Sequence, residues 1–228
     1  MYSLKSQAAR WAQLEMNHKK ILVDPFISAN ALASHINIDE IKCDYIFITH
    51  GHQDHILDVR QIHKNNPDAL LVSNYEIINW FEAKGIKGHA LNHGGKYDFD
   101  FGTAKYVNAV HTSGLPDGSY GGNPGGFVIY NKNNSIYIAG DTALTKDMEL
   151  IPLTCPKLDV AILPIGDNFT MGYEDACIAS DFIGCDKIIG CHYDTFPPIE
   201  IDKDKAVKYF EEKGKKLMLL EIGESVVV

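Results

Sequence analysis

Short apolar runs of β type recur along the chain: KILVD at 20–24, YIFIT at 45–49, ALLVS at 69–73, YVNAV at 106–110, GFVIY at 126–130, SIYIA at 135–139, VAILPI at 160–165 and KIIGC at 187–191. Runs this short and this rich in β-branched and aromatic residues predict buried or half-buried strands. Helical patterns fall between some of them, at 56–66, 75–84, 173–184 and 203–214. In the third, Ala176, Ala179, Phe182 and Ile183 repeat at helical spacing, and Glu174 and Asp175 occupy the first turn, where negative charge suits the helix dipole. Strands interleaved with helices predict an α/β fold of sheets covered by helices. A chain of 228 residues that is 45% apolar can bury one sizeable core. No repeat, low-complexity tract or linker divides it, so residues 1–228 are expected to form a single domain.

Directly after YIFIT comes THGHQDH, which places His50, His52, Asp54 and His55 within six residues. Packing does not explain such crowding. Neutral imidazole offers a lone pair near physiological pH, and a carboxylate lowers the net charge of a bound dication. On extended backbone, residues two apart point the same way, so His50 and His52 can hold one ion. Asp54 and His55 then turn into the following helix and face a second position.

Three further candidates stand at the same kind of place. His111 ends YVNAV, Asp141 follows SIYIAG and His192 follows KIIGC. Taken singly, each is as readily a turn residue or a hydrogen-bonded histidine; the joint pattern argues for ligands gathered at the C-terminal ends of several strands. Together they give five histidines and two carboxylates, a supply suited to two divalent ions about 3.5–4 Å apart sharing a bridging carboxylate and water. Zinc is the first expectation, with manganese, iron, nickel or cobalt as alternatives.

THGHQDH followed by a later His, a Gly-Asp and another His resembles the metallo-β-lactamase superfamily, which implies a four-layer αββα sandwich. AGDTALTKDMELI at 139–151, LPIGDNFTMGYEDA at 163–176 and HYDTFPPI at 192–199 resemble a bacterial and archaeal subfamily known only as metal-dependent hydrolases. That subfamily is similar to ascorbate-6-phosphate lactonases and, more distantly, to N-acyl-phosphatidylethanolamine phospholipases D. The resemblance runs from about Lys20 onward. It implies that His50, His52 and His111 form one metal site, that Asp54, His55 and His192 form the second, and that Asp141 bridges them. It also implies hydrolysis by a metal-bound hydroxide on a small ester, lactone or phosphodiester, with Asp54 and His55 as catalytic candidates. Where relatives carry Gly-His-Ser near the N-terminus, this chain has Ala8-Ala9-Arg10.

Several side readings follow from the residues. Asp24, after the first of these runs, is placed either to accept a hydrogen bond from a ligand histidine or to cap the turn before Pro25. His111 to Gly126, with Pro116, Pro124 and many glycines, reads as a long loop. The segment 166–172 is expected to shape a substrate pocket, with Tyr193, Thr195 and Phe196 on its other side. His93 in Asn92-His93-Gly94-Gly95 is a weaker candidate for approaching the site.

Competing functions remain at this level. A tRNA 3′-processing type of nuclease shares the H-x-H-x-D-H core, but a net charge of -9 disfavours a nucleic-acid partner. A diiron reductase of the same fold would carry Glu where His52 stands. A non-catalytic metal-binding module has no need of Asp54. Five scattered cysteines without a C-x-x-C pair, no signal-like segment and no run of eighteen apolar residues predict a cytoplasmic protein without a membrane partner, acting on a small molecule. Homo-oligomerisation is left open.

Overall fold

The computed structural model describes residues 3–6 and 11–227. The Ala8-Ala9-Arg10 departure lies outside the described residues. The chain lays down β1 (Ser3–Ser6), β2 (Ala12–Met16), β3 (Lys19–Val23), β4 (Tyr45–Phe47), β5 (Leu70–Asn74) and β6 (Gly88–Leu91) in one sheet. It then builds a second sheet from β7 (Lys96–Phe99), β8 (Gly102–Asn108), β9 (Gly125–Tyr130), β10 (Ser135–Ile138), β11 (Val160–Pro164), β12 (Lys187–Cys191) and β13 (Lys216–Met218). A last strand, β14 (Ser225–Val227), returns to pair antiparallel with β1. The first sheet has the order β14-β1-β2-β3-β4-β5-β6 and the second β13-β12-β11-β10-β9-β8-β7.

Strands at the centre are buried on both faces, which is why they read as continuous apolar runs. Ile21, Val23, Phe47 and Val72 of the first sheet meet Phe127, Ile129, Ile138 and Ile162 of the second, with Phe101 from the β7–β8 turn, in the inter-sheet core. Phe47 and Phe127 touch edge to face across it, with ring centroids 4.8 Å apart. The alternate residues Leu22, Ile46, Ile48 and Leu71 face outward instead, under the helices α1 (Gln53–Ile56), α2 (Val59–Asn65) and α3 (Tyr75–Glu82). On the other side Val128, Ala161, Leu163 and Ile188 pack beneath α4 (Ile151–Thr154), α5 (Tyr173–Phe182) and α6 (Lys203–Glu212). The layers are therefore helix, sheet, sheet, helix, the αββα sandwich expected from the sequence.

The helical pattern expected over 56–66 divides into α1 and α2. The reason is Asp58, whose buried carboxylate accepts the amides of Ile27 and Ser28 and the Ser28 hydroxyl, tying the interruption to the loop after β3. That break leaves α1 as a single turn carrying Asp54 and His55.

Strands β3 to β6 run parallel, as do β10 to β13. Parallel strands deliver their carboxyl ends to one edge, the usual place for a site in such sheets. Asp24 follows β3, Thr49 and His50 follow β4, Asp141 follows β10 and His192 follows β12.

Candidate metal centre

The seven predicted ligands meet at that edge. His50, His52 and His111 form one group whose ligand atoms all lie within 4.8 Å of one another, and Asp54, His55 and His192 form another. Asp141 lies between them. Its Oδ2 is 3.4 Å from His55 Nε2, 2.9 Å from His192 Nε2 and 3.7 Å from His111 Nε2, so one oxygen faces histidines of both groups. Within the first group, His50 Nε2 is 3.0 Å from His52 Nδ1. His50, His55, Asp141 and His192 are buried, while His52, Asp54 and His111 are partly open to the cleft.

The backbone is bent to present these groups. Asp24 and His192 adopt φ of 47° and 56°, the left-handed region, which costs about 1–2 kcal/mol for a residue with a Cβ. Each sits one step beyond a parallel strand, where the left-handed turn takes the side chain out of the strand's alternation. Gly140 reaches the same region at φ 65° without that cost, and places Asp141.

Asp24 resolves in favour of the hydrogen-bonding role. Its Oδ1 accepts the Thr49 amide at 2.7 Å, and its Oδ2 accepts the Thr49 hydroxyl at 2.6 Å and His55 Nδ1 at 3.0 Å. Thr49 Oγ1, its proton committed to Asp24, can only accept from His50 Nδ1, 3.1 Å away. Both rings thereby give the Nδ1 proton to these acceptors and turn Nε2 to the cluster, the arrangement that orients a metal ligand. Ligand atoms of Asp24, His50 and His55 also lie within 4.8 Å of one another. The carboxylate is already engaged by three donors, so Asp24 acts as their acceptor and not as a ligand.

Charge within the cluster favours a cation. Burial lowers the His55 pKa, but the Asp141 and Asp24 carboxylates outweigh it and push it up to about 9. Burial, aided by charge on His55, holds His50 well below the usual histidine range. Burial raises Asp141, yet His55 and His192 prevail and hold it well below the usual carboxylate range. His55 Nε2 is buried with no hydrogen-bond partner among the described residues. The carboxylates of Asp141 and Asp24 thus favour positive charge on this ring, and with imidazole and carboxylate donors gathered around Nε2 that demand fits a divalent cation in place of the proton.

The long loop expected over 111–126 runs to Pro124, where β9 begins at Gly125. It is clasped to the ligand segment by Ser113, whose hydroxyl accepts the Gly51 amide at 3.0 Å and donates to the Gly121 carbonyl at 2.9 Å. His93 joins neither ligand group. Its Nε2 lies 2.9 Å from the Pro124 carbonyl and its ring packs on Tyr106, so it holds the end of this loop. Thr49 and Ser113 were not singled out from the sequence. The available sign was a hydroxyl residue at a strand end immediately before the histidine cluster, and another two residues beyond His111.

A cleft of about 640 Å³ opens over His52, Asp54, His111, Asp141 and His192. Of the residues expected to border it, Phe169 and Phe196 do, whereas Tyr193 is buried in the core under α5 and α6. Thr195 is not among the lining residues.

Residues 19–193 match the Beta-lactamase superfamily domain. A UPF0173 metal-dependent hydrolase of Christiangramia forsetii is 63% identical over 214 residues, covering 93% of this chain and 94% of that protein. Another, of Methylacidiphilum infernorum, is 43% identical over 216 residues, 94% of this chain and 95% of that one. Among solved structures, Igni18, a metallo hydrolase from Ignicoccus hospitalis, superposes with a TM-score of 0.88 at 30% identity, covering 99% of this chain and 97% of its own. The chain belongs to the metallo-β-lactamase superfamily. Within it, the protein is a metal-dependent hydrolase.

Proposed function

We propose that the protein binds two divalent cations, zinc first among them, and hydrolyses a small ester, lactone or phosphodiester in the cytoplasm. The observation that carries this reading is the position of Asp141 Oδ2, within 3.7 Å of His55, His111 and His192. A carboxylate oxygen facing imidazoles of both groups suits a bridging ligand. His50, His52 and His111 would hold one cation, Asp54, His55 and His192 the other. When bound, such a pair supplies Lewis acidity, activating water near neutral pH and polarising a carbonyl or phosphoryl oxygen.

The chain's own groups supply the rest. Asp54, partly open to the cleft, is a carboxylate beside the reacting region, able to accept a proton from water and hold its orientation. Asp24 and Thr49 keep the ring orientations of His55 and His50 fixed through the reaction. Water oxygen joins the acyl carbon or phosphorus, the bond to the leaving oxygen breaks, and one water proton ends on that oxygen. No Lys or Arg lines the cleft among the described residues, and the net charge is -9; both disfavour a nuclease reading.

The test is hydrolysis of 4-nitrophenyl esters, simple lactones and bis(4-nitrophenyl) phosphate by the zinc-, manganese- or iron-loaded protein. Activity on at least one class, abolished by chelator and by His52→Ala, is expected. A fully metal-loaded protein inert toward all three would overturn the reading.

A further inference from the structure

The floor of the cleft is polar, and apart from Gln53 and Thr112 its walls are apolar. Phe26, Leu57, Phe169, Phe196 and Pro198 converge above the cluster, and no cationic side chain stands among the described residues that line it. Phe169 is 54% and Phe196 39% exposed. Single apolar residues on a surface need no explanation, but two phenyl rings facing one concave site with three further apolar groups mark a binding surface.

Phe169 is also held in place. Gly166 and Gly172 bridge the base of its turn, the Asp167 amide donates to the Met171 carbonyl at 3.0 Å, and the Met171 amide donates to the Thr142 carbonyl at 3.0 Å. Thr142 follows Asp141, so the turn that carries the ring is tied to the segment that carries the central carboxylate. Phe196 enters from the loop beyond His192, just before a single helical turn at Pro197–Ile199. The two rings therefore come from segments fixed to two of the candidate ligands.

We infer that the cleft selects substrates whose non-reacting portion is uncharged and apolar, a short alkyl or aryl group beside the scissile carbonyl. This rests on the hydrolytic reading above and narrows it. A phosphate or carboxylate on that portion would lose hydration against the phenyl walls without a guanidinium or ammonium to replace it. An alkyl group would instead gain about fourfold in binding per buried methylene.

The test uses the full chain loaded with Zn(II). Calorimetric titration with butanoate, hexanoate and succinate is set beside hydrolysis of 4-nitrophenyl acetate, butanoate and hemisuccinate. From butanoate to hexanoate, Kd should fall about 16-fold, two methylenes at about fourfold each. Succinate should bind at least tenfold more weakly than butanoate, and kcat/KM for the hemisuccinate should lie below that for the butanoate ester. Phe169→Ala and Phe196→Ala should compress the hexanoate to butanoate ratio toward one. Succinate binding as tightly as hexanoate, or a flat response to chain length in both measurements, overturns the inference. Should the alanine variants fail to fold, the three affinities of the unaltered protein decide. An inert protein that still ranks the carboxylates as expected retains the apolar cleft and overturns the hydrolytic reading alone. Hydrolysis that favours the hemisuccinate does the reverse.

Discussion

Asp24 and His55 are joined by a hydrogen bond of 3.0 Å between Oδ2 and Nδ1, although 31 residues separate them. The same oxygen takes the Thr49 hydroxyl, and that hydroxyl's oxygen faces His50 Nδ1. One buried carboxylate thus orients a histidine in each of the two candidate ligand groups. Because Asp24 follows β3 while Thr49 and His50 follow the adjacent strand β4, the arrangement comes from parallel pairing of two neighbours.

Replacing Asp24 by Asn puts an amide N–H where an acceptor is needed. At least one of three buried donors is then left without its partner, which costs about 1–3 kcal/mol. Orienting groups of this kind set metal affinity by about 10–100-fold. Asp24→Asn is therefore expected to lower zinc affinity by about that factor, read by competition with a chromophoric chelator, and to lower the Tm of the metal-free protein. Wild-type affinity in the variant would show that His55 holds its orientation by packing alone.

Thr49 makes a sharper test, because its methyl and hydroxyl can be separated. Thr49→Val keeps the shape and removes the link between His50 and Asp24, and is expected to weaken zinc binding about tenfold. Thr49→Ser keeps the hydroxyl and should recover most of that loss. Equal affinities for Val and Ser variants would remove the hydroxyl from the account.

Much of this was legible because the central strands are apolar on both faces and the ligands follow them directly. All eight apolar runs became strands, and His50, Asp141 and His192 stand just beyond β4, β10 and β12. The strands that escaped notice lie mainly toward the edges. In β7, KYDF, three of four residues are exposed, and β6, GHAL, buries only Leu91, so neither carries an apolar run. Strand β13 is three residues long. Side-chain roles were harder to read. Asp24 was ambiguous because a left-handed backbone at a non-glycine residue leaves no mark on the sequence, and its φ of 47° is what turns the carboxylate toward Thr49 and His55.

Cys43 gives a prediction in pH. Burial, reinforced by the Asp44 carboxylate, pushes its thiol up to about 12. Unfolded, the same thiol titrates near the ordinary value of about 8.5. The folded state keeps its proton while the unfolded state loses it, so this group's contribution to stability is full below about 8.5 and declines as pH rises toward 12. At pH 8, alkylation of Cys43 by iodoacetamide should be at least about a hundredfold slower in the native protein than in denaturant, followed by mass spectrometry of the modified peptide. Comparable rates would show that the thiol is not desolvated.

Gly140 tests how closely the two sheets must approach to bring Asp141 to the histidines. Its φ is 65°, and a Cβ built there would lie 2.7 Å from Thr49 Cβ and 2.9 Å from Thr49 Oγ1. Gly214, beyond the end of α6, has φ 72° but nothing within 4 Å of the same added atom. Ala at Gly214 meets only the backbone term, about 1–2 kcal/mol. Ala at Gly140 meets that term and the collision with Thr49, about 2–5 kcal/mol in all. Denaturant unfolding should therefore rank Gly140→Ala well below Gly214→Ala in stability. Zinc affinity should fall only in the first, because pushing Thr49 away from Gly140 moves the hydroxyl that orients His50 and separates Asp141 from His55. Equal losses of stability, with zinc affinity untouched in both, would mean that the sheets can part at this point without disturbing the cluster.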